Sequence, residues 1–306
     1  MNAPRSILLL SLFTFTACGG TTTDGEKDAG PSDTSNPTDT QAGASDPVDY
    51  RTPGPYGVTS EEQSYTVSAS CDMDITLYSP LGASNAPLVI LSHGFARGPS
   101  NMSGWAEHFA SWGVPVATPK LCHASPFDSD HAANGVELTV LREQLGASEV
   151  IYAGHSAGGL AAVLAGAQDP NTLGVIGLDV TDADNLAMQQ AGTLSAPLFG
   201  IAGEPSSCNS SGNATGIYNR ATDGVGFRVT EADHCDFESP TDGLCTAFCN
   251  GSNDQFSDAE IQSALLGLLT AAVIEAADLD DGAVHWWNNG GSFYDELTTS
   301  GIISPL

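Results

Sequence analysis

The chain has 306 residues, with 8 Lys and Arg against 37 Asp and Glu and a net charge of −29. That balance repels polyanions, so it excludes nucleic acid and anionic membrane surfaces as partners and disfavours a polyanionic substrate. The length suits one large α/β domain with an added tail.

The N-terminus, Met1 to Arg5, carries one positive charge ahead of the apolar run from Ile7 to Phe15. That run is too short to span a bilayer as a mature helix but has the form of an export signal. It ends in Phe15-Thr16-Ala17-Cys18-Gly19, which resembles a bacterial lipobox with Phe15 where Leu is usual. The expectation is a signal over 1–17 and lipidation of Cys18, with acyl chains as the sole membrane attachment. Gly19, in place of Asp after the cysteine, directs such a lipoprotein to the outer membrane. Cleavage after Ala17, giving a free periplasmic or secreted protein, is the alternative. From Gly19 to about Pro55 the chain is rich in Thr, Asp, Ser, Pro and Gly and poor in large apolar residues. Such a segment cannot offset its own ordering entropy. The predicted organisation is therefore a tether over 18–55 and a folded domain over 56–306.

Setting Cys18 aside leaves Cys71, Cys122, Cys208, Cys235, Cys245 and Cys249. An even count in an exported chain predicts disulfides. Six cysteines allow fifteen pairings, and the sequence does not choose among them, although Cys208 and the cluster at 235, 245 and 249 are placed to tie down the loops around His234. His234-Cys235 ahead of Cys245-x-x-x-Cys249 fits a zinc pattern poorly, so no metal site is expected.

Within the domain, alternation between Ser64 and Ser79 predicts two short antiparallel strands. Pro87 to Ser92 is an apolar run of the kind buried on both faces of a parallel sheet, and it ends at His93-Gly94-Phe95. A helix over 103–112, a strand over 114–118 and a helix over 131–145 follow. Another strand, 149–153, leads into Gly154-His155-Ser156-Ala157-Gly158 and a small-residue helix. Further strands are expected at 173–178, ending at Asp179, at 196–202, near Glu204, and at 226–230, just before Asp233-His234. The last of these is read as the final strand, covered by a helix over 257–277. This alternation predicts a mostly parallel α/β sheet with helices on both faces. The tail from Asp278 has no clear pattern; Asp278 to Gly282 faintly resembles a calcium loop but lacks its later ligands.

Gly-x-Ser-x-Gly at a strand-to-helix junction is the pattern of a nucleophile elbow. A serine hydroxyl needs a base within reach and a third group to orient that base. Of the seven histidines, His234 sits directly after the last expected strand, where such a base belongs, while His285 lies beyond the covering helix. Asp179, leaving an apolar strand, is the first candidate for the acid and Glu204 the alternative, with Asp182 and Asp184 in the same loop. The amides of Phe95 and Ala157 are the candidate donors to an oxyanion. Phe95, Trp105, Phe127, Phe237, Trp286 and Trp287 are aromatics that would either line an apolar cleft or fill the core.

Leu91 to Phe95, His108 to Pro119 and Ala153 to Gly159 together resemble the α/β-hydrolase superfamily. Within it they are most similar to the chlorophyllase, polyester-hydrolase and platelet-activating-factor acetylhydrolase group, over about residues 85 to 240. The resemblance implies an ester hydrolase that needs no metal or organic cofactor, with Ser156 as nucleophile, His234 as base and Phe95 and Ala157 as oxyanion donors. Two branches of the group place the acid as Asp179 is placed; the polyester-hydrolase branch places it where this chain has Glu204. The implied substrate is a small or polymeric carboxylic ester. A non-catalytic surface lipoprotein and an acyltransferase with the same triad are the competing expectations.

Overall fold

The structure is a computed structural model and describes residues 47–306. The expected signal, Cys18 and the tether up to residue 46 lie outside the described residues.

Mixed α/β architecture is built on one nine-stranded sheet, ordered β1-β2-β4-β3-β5-β6-β7-β8-β9. Strands β1 (Val58–Ser68) and β2 (Cys71–Pro80) form an antiparallel edge pair, longer than the alternation suggests, and β2 runs antiparallel to β4 (Val116–Pro119). The centre is parallel: β4, β3 (Leu88–Ser92), β5 (Val150–His155), β6 (Thr172–Leu178), β7 (Leu198–Ala202) and β8 (Gly224–Val229). β3, β5 and β7 are buried at every position, as unbroken apolar runs dictate when helices cover both faces.

One face is covered by α1 (Ser103–Ser111) and α7 (Asp258–Ala276), the other by α2 (His131–Gln144) and α3 (Ala157–Gln168). α7 is long and apolar enough to cross a membrane, but its Ile261, Leu265, Leu268 and Val273 are wholly buried in the core. Ser257 and Glu260 form a capping box that fixes its start. Four shorter helices follow or interrupt the later strands: α4 (Leu186–Gln190), α5 (Ile217–Arg220), α6 (Gly243–Cys249) and α8 (Ser292–Ser300).

Two expectations are corrected. β8 is not the final strand, because the tail returns as β9 (Ile303–Pro305), antiparallel to it. Trp286 and Trp287 of the tail are buried in the core, Trp286 stacked on Phe293 with ring centroids 4.1 Å apart. Residues 47–55 likewise belong to the domain and not to the tether. Tyr50 is buried against Trp112, its hydroxyl donates to Asp280 Oδ2 at 2.7 Å, and Arg51 pairs with Glu296 at 2.7 Å. The buried ring, the hydroxyl bond, the Arg51 ion pair and the Trp286 Nε1–H bond to Val48 O together dock this stretch. Asp280 also caps the short 3₁₀ turn Asp281–Trp286 through the Gly282 amide.

The six cysteines pair as Cys71–Cys122, Cys208–Cys249 and Cys235–Cys245. The first ties the start of β2 to the loop after β4. The other two converge on α6.

Candidate active site

Ser156 is the hinge between β5 and α3, with φ 55° and ψ −120°. Positive φ is disfavoured for any residue with a side chain and persists only where the surroundings enforce it. Here the Ser156 amide donates to Leu178 O at 3.0 Å, and its carbonyl accepts from Thr181 N at 3.3 Å. The glycines of the motif are there because neighbours leave no room. A Cβ on Gly154 would lie 2.3 Å from the Gly158 carbonyl oxygen, and one on Gly158 2.4 Å from those of Ser92 and His93. The hydroxyl of Ser156 donates to Thr181 Oγ1 at 3.3 Å.

Asp179 leaves the carboxyl end of β6 and is buried. Its Oδ2 accepts from His234 Nδ1 at 2.6 Å, while Oδ1 accepts from the Gly203 amide at 3.0 Å. A carboxylate on Nδ1 fixes the imidazole tautomer and leaves the Nε2 lone pair free. The structure thus brings Asp179 and His234 together. Glu204 stands apart: its carboxylate accepts from the Glu231 amide at 3.3 Å and lies 3.8 Å from Arg228. Its backbone after β7 passes near the site, but its side chain turns away. Asp182 caps α4 through the amides of Ala187 and Met188.

The loop after β3 supplies the other wall. His93 accepts from the Leu121 amide through Nε2 at 3.1 Å and donates from Nδ1 to Gly94 O at 2.7 Å. Burial holds its imidazole down at about 4, so it stays neutral and staples the loop. Ala96 N donates to Ala124 O at 2.7 Å, leaving Phe95 at the loop's tip. Phe95 N in this loop and Ala157 N beside Ser156 are the candidate donors to an oxyanion. Ala157 N lies in the first turn of α3, where free N–H groups and the helix dipole favour negative charge.

Ser156, His234, Phe95 and His155 line one cleft of about 230 Å³, together with Leu244 and Phe248 from α6. Leu244 and Phe248 are 56% and 76% exposed, so the mouth is apolar. His155 is fully buried with its ring centroid 4.4 Å from that of His234, and burial keeps it well below the usual imidazole range. Arg97, also in the cleft wall, is neutralised by the wholly buried Glu238 carboxylate through a two-pronged contact at 2.5 Å, which joins the loop after β3 to the loop carrying His234. Of the aromatics considered from the sequence, Phe95 lines the cleft, Phe127 is fully exposed, and Trp105, Phe237, Trp286 and Trp287 are core.

Sequence reasoning missed Thr181, Arg97 with Glu238, α6 as a wall, and Asn209, whose side chain touches Asp179. The last carried only a weak signal, the turn-forming run Ser206 to Gly212.

No protein-family model and no curated protein matches the chain in sequence. The site is therefore interpreted from its own geometry.

Proposed function

We propose that the protein is a serine hydrolase that cleaves carboxylic esters through an acyl-enzyme, built on an α/β-hydrolase fold. The observation that carries this reading is the 2.6 Å contact of Asp179 with His234 at the rim of the cleft in which Ser156 sits on a strained strand-to-helix turn. The parallel order β4-β3-β5-β6-β7-β8, with the serine after β5, the aspartate after β6 and the histidine after β8, supports the fold assignment.

In the first half-reaction Ser156 Oγ turns from Thr181 to His234 Nε2, which takes its proton as the oxygen attacks the ester carbonyl. Asp179 stabilises the imidazolium. Negative charge on the carbonyl oxygen is met by the amides of Phe95 and Ala157, each such donor being worth roughly 3 kcal/mol. His234 then protonates the leaving alcohol, and in the second half-reaction activates the water that releases the acid. The apolar mouth favours esters with a hydrophobic acyl or alcohol part. The three disulfides support export to an oxidising compartment, and lipid anchoring through Cys18 completes the proposal.

The test is a chain-length series of p-nitrophenyl esters with wild type and Ser156→Ala. Turnover that depends on Ser156 and varies with acyl length supports the reading. Absence of Ser156-dependent hydrolysis across the series contradicts it.

A further inference from the structure

Asn209 lies on the loop between β7 and α5 and is completely buried. Its Oδ1 accepts from the amides of Ser206 at 2.8 Å and Gly212 at 3.0 Å, which closes the turn. Its Nδ2 faces only acceptors: Asp179 Oδ1 at 3.2 Å, Asp179 Oδ2 at 3.1 Å and the Glu204 carbonyl at 2.9 Å. Two N–H donors on one side and three acceptors on the other leave the amide one orientation. Closing the turn uses the oxygen; the nitrogen is turned toward the Asp179–His234 pair.

A buried carboxylate takes up a proton or rotates away unless donors hold its charged form. Lys or Arg in this place would hold the charge but would also compete with the imidazolium for it. A neutral amide holds it without that competition. The Gly203 amide reaches Oδ1 alone, so without Asn209 the oxygen that serves His234 would have no second donor. The residue before Asn209 is Cys208, whose disulfide to Cys249 ties this loop to α6.

We propose that Asn209 is a positioning residue that holds the Asp179 carboxylate in place and aimed at His234 Nδ1. For its kinetic consequence, this inference rests on the esterase reading above. The other titratable side chains that face the pair are His155, 4.4 Å from the His234 ring, and Tyr218, close enough for the Asp179 charge to act on it.

The experiment uses Asn209→Asp, which keeps Oδ1 but puts a second carboxyl where the donor was, and Asn209→Ser, which removes the donor without adding charge. The first measurement is the proton NMR resonance of His234 Nδ1–H, which needs no substrate. The proposal expects a strongly downfield resonance in wild type that shifts or broadens away in folded N209D and N209S. The second is ester hydrolysis. Loss of hydrogen bonds to a charged group predicts a fall in kcat of roughly 10- to 100-fold with KM nearly unchanged. The acid limb of the kcat/KM profile moves to higher pH, because a less solvated carboxylate makes the pair more basic. In an Asp179→Asn background, N209S produces no further loss. An unmoved resonance and pH limb in folded variants, or losses that multiply in the D179N background, overturn the proposal. If wild type hydrolyses no ester, the esterase reading fails, while the NMR measurement still decides the role of Asn209.

Discussion

Cys235, the residue after His234, is joined by a disulfide to Cys245 of α6, so the candidate base is held from its own backbone to the helix that walls the cleft. Four residues on, Cys249 ties the same helix to Cys208, the neighbour of Asn209. One seven-residue helix is thus the common anchor of the loops behind His234 and Asp179. A helix this short has no stability of its own, and the two cross-links supply what it lacks.

Paired serine substitutions at Cys208 and Cys249, or at Cys235 and Cys245, are each expected to lower stability by about 2–5 kcal/mol. Turnover should fall further than stability explains, because α6 loses its seat while the distant sheet stays folded. Urea denaturation alongside kinetics at a temperature where the variants remain folded separates the two effects.

Arg97 and Glu238 form a second brace. Glu238 has no exposed side-chain surface, so Arg97→Ala would strand a buried charge, a change expected to destabilise by about 3–5 kcal/mol. Asn101, within 3.4 Å of the same carboxylate, softens the loss. Replacing both partners with apolar residues should recover most of the stability, which a double-mutant cycle measures.

The strand-end positions of Ser156, Asp179 and His234 were legible because apolar runs buried on both faces announce where each parallel strand stops. The choice between Asp179 and Glu204 was not, since both follow such runs. It depends on which way each carboxylate turns, and that is set by the Gly203 amide, Asn209 and the Glu231 amide, all of them tertiary contacts. Docking of Tyr50 was hidden for the same reason: its polar neighbours dominate the local composition, while its partners Trp112 and Asp280 are distant in sequence. Disulfide pairing needed the fold outright, as spacing cannot rank fifteen pairings.

Stability should fall as the medium is acidified from about pH 6.5 to 4. Burial lowers His93 from 6.5 to about 4, so across that window the unfolded chain binds the proton that the folded chain refuses. Stability is present above 6.5 and is lost toward 4, by roughly 3 kcal/mol from His93 alone. His155, also lowered by burial, acts in the same direction. Asp236, raised by burial to about 6, opposes them, because its folded form gains a proton on acidification. Wild type should therefore lose more stability between pH 7 and 4 than His93→Asn does, measured by denaturation midpoints; an identical pH dependence in the two would contradict this account.

Phe248→Ser should leave stability within about 0.5 kcal/mol, because the ring is mostly exposed. If α6 forms part of the substrate wall, the same change should raise KM for long-chain esters by several-fold and leave short-chain esters nearly untouched. The acyl series measured on this variant checks it.

Covalent trapping tests the central claim most directly. A fluorophosphonate incubated with the folded, oxidised protein should add one adduct, mapped by tandem mass spectrometry to Ser156. That adduct should be lost in Ser156→Ala and formed at least a hundredfold more slowly in His234→Ala. Folded wild-type protein that takes up no label at Ser156 would contradict the claim that this serine is an activated nucleophile.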